Sequence, residues 1–100
     1  MKQIIRGKLY NTETAAKLGS FGKGMGFSHY SETLYVKKTG EFFIYGEGGP
    51  RSKYAESIDD NTWSGGSRIT PLASEEEARD WAEDHLDVDQ YIEIFGQVEE

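Results

Sequence analysis

Residues 32–38 (ETLYVKK) and 41–46 (EFFIYG) constrain the fold most. They are two runs rich in β-branched and aromatic side chains on either side of Thr39-Gly40. Such runs pair as an antiparallel hairpin. A two-residue loop places Val36 opposite Phe43 and Leu34 opposite Tyr45, with Tyr35 and Ile44 on the other face and Phe42 near Lys37. A type I turn with Gly40 as a G1 bulge shifts the register by one and swaps the faces of one strand. Aromatic rings stand on both faces in either case. Each face therefore needs a cover, from other segments of the chain or from a second copy in a homodimer. A chain of 100 residues has room for one domain, and its thirteen aromatic rings can fill a small core.

The rest of the chain divides near residue 73. Residues 1–72 read as mainly β and loops. Residues 2–10 read as a strand bent at Gly7, and residues 15–21 as a short strand returning beside it or as one helical turn. Four glycines within residues 19–27 argue for a flexible loop, continued to Ser31. Residues 46–70 read as mostly irregular, with Tyr54, Ile58 and Trp63 spaced to pin a long loop to the core. Arg68 to Leu72 suits a short last strand ended by Pro71.

Residues 73–96 read as an acidic helical segment. Ser74 with Glu77 forms a capping box, and Ala78, Trp81, Ala82, His85 and Leu86 make one apolar stripe. Asp87 with Gln90 starts a second helix, whose stripe is Val88, Tyr91, Ile92 and Phe95 and which ends at Gly96. The expected architecture is α+β: a small antiparallel sheet with two short C-terminal helices packed on it.

Charge is unevenly spread. Residues 74–100 carry eleven acids, Glu99 and Glu100 among them, against Arg79 alone, whereas residues 1–73 carry ten bases and seven acids. Such a chain suits a basic protein surface better than nucleic acid, because phosphate binding needs clustered Lys and Arg. Glu76, Asp80, Glu83, Asp84, Asp87 and Glu93 are the candidate partner-binding residues. A row of carboxylates one helical turn apart has a charge density like that of a phosphate backbone, with few Lys partners at i+4.

Nothing points to catalysis. Cysteine is absent, which excludes disulfides and thiolate metal sites. His29 and His85 have no metal-ligand spacing, Ser28-His29 makes no triad, and Glu75–Glu77 sit on an exposed first turn with nothing to desolvate them. No cofactor is expected. The glycine runs match neither G-x-G-x-x-G nor a P-loop. A second reading keeps Arg51, Lys53, Tyr54 and Trp63 as a site that sequesters a small ligand or nucleotide. No apolar run is long enough for a membrane span, and no leader pattern opens the chain, so a cytoplasmic protein is expected.

Several motifs carry a family likeness. They are Gly7-Lys8-Leu9-Tyr10 with Thr12-Glu13-Thr14-Ala15, and Glu32-Thr33-Leu34-Tyr35. Then come Gly46-Glu47-Gly48-Gly49-Pro50 with Ser52-Lys53-Tyr54, Trp63-Ser64-Gly65-Gly66, and Ile69-x-Pro71-Leu72. The acidic end adds Glu77-Ala78, Trp81-Ala82-Glu83 and Tyr91-x-x-Ile94-Phe95-Gly96. Together they resemble a family of small proteins from phages, plasmids and integrative elements of Gram-positive bacteria. The likeness spans nearly the whole chain but departs at residues 19–26. It implies an accessory protein acting against host defence, as anti-CRISPR proteins do. The expected partner is then a host protein with a basic nucleic-acid-binding surface, such as a CRISPR effector.

Overall fold

The computed structural model describes residues 1–96; Glu99 and Glu100 lie outside the described residues. In chain order the elements are β1 (Lys2–Ile5), β2 (Lys8–Asn11), β3 (Ala16–Lys23), β4 (Tyr30–Val36), β5 (Phe42–Gly48), β6 (Glu56–Asp59), β7 (Thr62–Ser64), β8 (Gly66–Pro71), α1 (Glu75–His85) and α2 (Val88–Phe95). The fold is α+β. A four-stranded antiparallel sheet of order β3-β4-β5-β8 forms its centre, and β1–β2 and β6–β7 are separate hairpins.

The chain covers both faces of that sheet itself. On one face Phe43 and Ile69 pack with Tyr10 of the β1–β2 hairpin, flanked by Ile5, Tyr35 and Tyr45. The Tyr10 ring meets Phe43 edge-on at 5.4 Å, and Lys37 Nζ sits 3.7 Å above the Tyr10 ring. On the other face Leu34 and Ile44 pack with Ala78 of α1, joined by Leu18, Phe42, Trp81 and Phe95. The cover required by a two-sided aromatic hairpin thus comes from a hairpin below and a helix pair above.

The central hairpin takes the bulged register. Leu34 pairs with Ile44, and Tyr35 with Phe43. Gly40 has φ +93° and donates its N–H to the Lys37 carbonyl at 2.9 Å, the geometry of a type I turn with a G1 bulge. This register puts Leu34 and Ile44 on the helix side together.

Several sequence expectations are corrected. Residues 2–10 are two strands, not one bent strand, because Arg6 (φ +53°) and Gly7 (φ +80°) form a two-residue turn with both φ values positive. The strand at residues 16–23 pairs with β4 and not with the first strand. It also runs through Gly19 and Gly22, two of the four glycines expected to form a loop, while Gly24 and Gly26 lie in the connection to β4. A Cβ at Gly19 would lie 2.8 Å from Leu86 Cδ1, so a bare backbone is what lets Leu86 pack there. Residues 46–70 hold β6, β7 and most of β8, and of the three expected anchors only Tyr54 is buried. Ile58 and Trp63 are 64% and 56% exposed. Val88, expected in the inner stripe of α2, is 71% exposed.

Candidate functional site

The acidic face begins with its cap. Ser74 Oγ accepts from the Glu77 N–H at 3.4 Å, but the Glu77 carboxylate reaches past Ser74 to accept the Ala73 N–H, so the cap forms without the reciprocal bond of the expected capping box. This fixes the start of α1 and hence its rotation about its own axis. Ala78 and Ala82 are fully buried against the sheet. At about 100° per residue, Glu76, Asp80, Glu83 and Asp84 then fall within an arc of about 100° on the opposite side. All four are exposed. From Glu76 to Asp84 the axis rises about 12 Å, or about one carboxylate per 3–4 Å. One strand of a duplex carries a charge about every 3.4 Å along its axis.

No cation neutralises that row among the described residues. Arg79, the one base of α1, turns aside: its Nε lies 3.1 Å from Glu75 Oε2, and its Nη1 donates to the Tyr91 hydroxyl at 3.4 Å. The remaining ion pairs among the described residues are Lys8–Glu41, Lys37–Glu41 and Lys53–Glu32, all in the β portion. The other two candidate acids behave differently. Asp87 caps α2, accepting the Gln90 N–H at 2.8 Å while the Gln90 side chain accepts the Asp87 N–H at 3.3 Å. It stands at the end of the row with part of its carboxylate engaged. Glu93 is exposed on α2 but borders a hollow with Lys17, Leu18, Gln90 and Ile94, on the β3 side and away from the row.

Lys53 and Tyr54 of the second candidate set do come together, on a carboxylate of the chain itself. Glu32, on β4, is only 4% exposed. It accepts the Tyr54 hydroxyl, Trp81 Nε1 at 3.0 Å and Lys53 Nζ at 2.8 Å. Burial works to raise its pKa. The hydrogen bonds from Lys53, Tyr54 and Trp81, with the Lys53 charge, outweigh burial and hold the carboxyl below the ordinary 4.5. Burial first, and then the bond to Glu32, push the Tyr54 phenol well above its ordinary 10.0. A phenol in that state is a held donor and a poor proton source. Arg51 is exposed, its backbone N–H bonded to the Phe27 carbonyl at 2.8 Å, and Trp63 is exposed on β7. The glycine-rich segments meet each other, with the Gly49 N–H donating to the His29 carbonyl at 2.9 Å.

Sequence reasoning missed Glu32. Its partners stand 21, 22 and 49 positions away, so no local motif marks it. A signal did exist: residues 32, 34 and 36 alternate onto one face of β4, and that face is the one that buries Leu34. A glutamate of inward parity needs partners, and Tyr, Trp and Lys supply them.

His85 is exposed and stacks flat on Phe21 at 3.9 Å. Among the described residues no three His, Asp or Glu side chains converge to hold a metal ion, and no helix is long and apolar enough to cross a membrane. No protein-family model, curated protein or solved structure matches the chain.

Proposed function

We propose that this chain is a non-enzymatic accessory protein of a mobile element. In this reading its acidic helix face occupies the basic nucleic-acid-binding surface of a host-defence nucleoprotein, such as a CRISPR effector. The observation that carries the reading is the unneutralised row Glu76–Asp80–Glu83–Asp84 on the water side of α1. Glu76–Asp80 and Asp80–Asp84 are like charges at i,i+4, each costing the helix about 0.2–0.5 kcal/mol. Such repulsion is a burden to an isolated helix and an asset against a cationic groove. The sequence likeness to mobile-element proteins supports the choice of partner class. The ligand-sequestering reading loses Lys53 and Tyr54 to Glu32, and no observation favours it.

The test is capture from host lysate with the native protein and with a triple variant, Asp80→Lys, Glu83→Lys and Asp84→Lys, at low and high salt. The captured protein is then challenged with duplex or guide nucleic acid. The expected partner binds nucleic acid, is displaced by it, is lost from the triple variant and weakens with salt. Equal capture by both forms, or a captured partner indifferent to nucleic acid, overturns the proposal.

A further inference from the structure

The acidic face has an apolar furrow beside it. Where α1 passes into α2, Ala82, Leu86, Val88, Tyr91 and Ile92 line a groove whose two charged residues are Glu83 and Asp87. Among the described residues no base lines it, and Val88 stands 71% exposed at its edge. Imitation of phosphates alone has no use for such a floor, since a phosphate backbone is charged throughout. We infer that this groove takes an aliphatic side chain from a basic amphipathic segment of a partner polypeptide, with flanking Lys or Arg on Glu83, Asp87 and the α1 row. The apolar floor selects the anchor, and the carboxylate rim selects the charge of its neighbours. Nucleic acid is excluded as an occupant by the same two carboxylates. The inference rests on the acidic-face reading above and names the partner chemistry at that face.

Val88→Glu separates the two. It adds a negative charge at the first position of α2, where the helix dipole favours an acid, and it replaces an exposed side chain, so the fold is kept. It also spoils the apolar floor. Two probes are used with isotope-labelled protein: a Leu/Lys amphipathic helical peptide and an oligolysine of equal charge. The Leu/Lys peptide is expected to bind about tenfold tighter than oligolysine, to hold that margin at high salt, and to shift the amides around Glu83, Val88 and Tyr91. Val88→Glu is expected to erase the margin while leaving oligolysine binding equal or tighter. Equal binding of both peptides to the native protein, lost in the lysine triple variant, overturns the groove and leaves the acidic-face reading standing. Binding of neither peptide overturns both.

Discussion

Two sets of carboxylates in this molecule live under opposite rules. Glu32 is buried in the sheet and held by Tyr54, Trp81 and Lys53. The α1 row is in water and, among the described residues, without a cation. The same chemical group serves cohesion in one place and projects charge in the other. Parity on β4 and rotation of α1 decide which, through the donors each carboxylate meets.

The largest effect should come from removing the buried member. Glu32→Ala leaves the Tyr54 hydroxyl and Trp81 Nε1 without an acceptor and Lys53 without a counter-ion. A loss of about 2–4 kcal/mol is expected in urea denaturation, the half-exposed Lys53 keeping it from running higher. A loss under about 1 kcal/mol would erase the contrast. Acid titration sharpens it. The folded pKa of Glu32 lies below its unfolded value, so its contribution is complete above about pH 4.5 and disappears as pH falls through the folded value. The native protein should therefore lose stability more steeply below that pH than Glu32→Gln does; parallel curves would mean that Glu32 carries no such linkage.

A middle-sized effect is expected at Gly46, which faces Glu32 across the β4–β5 ladder. A Cβ there would overlap the Tyr54 ring. Gly46→Ala forces Tyr54 off Glu32, at a cost of about 1–3 kcal/mol, read as a lower Tm. An unchanged Tm would show that the ring's position over Gly46 is not needed.

The smallest effect has the opposite sign. Asp80→Lys turns two like-charge pairs into attractive ones, so it should stabilise the fold by several tenths of a kcal/mol while weakening partner capture. Destabilisation by the same amount would show that Asp80 serves the fold, which would end the comparison.

The elements most legible in the sequence were those whose causes are local. Ser74 with Glu77, Asp87 with Gln90, and Gly96 set the helix ends, because capping bonds span three or four residues. Among the candidate site residues, exposure of the α1 acids followed from the same periodicity that buried Ala78 and Ala82. Glu93 and Val88 were less legible, because the direction of an α2 side chain depends on where the second helix lies against the first and against β3. The strand at residues 16–23 was legible only in part, as far as Phe21 and with a helical turn as the alternative, and its partner strand was not, for a similar reason. Glycine is a poor strand former alone, and only Leu86, far along the chain, gives Gly19 its place.

The sequence by itself determined the α+β class, the central hairpin, the helix caps and the water-facing acid row, since each arises from neighbours within a few positions. Tertiary structure alone decided the covering of the second sheet face by β1–β2, the buried Glu32 cluster and the furrow at Val88. These depend on contacts between residues distant along the chain. Burial and donor geometry at such contacts come into being only when the layers close.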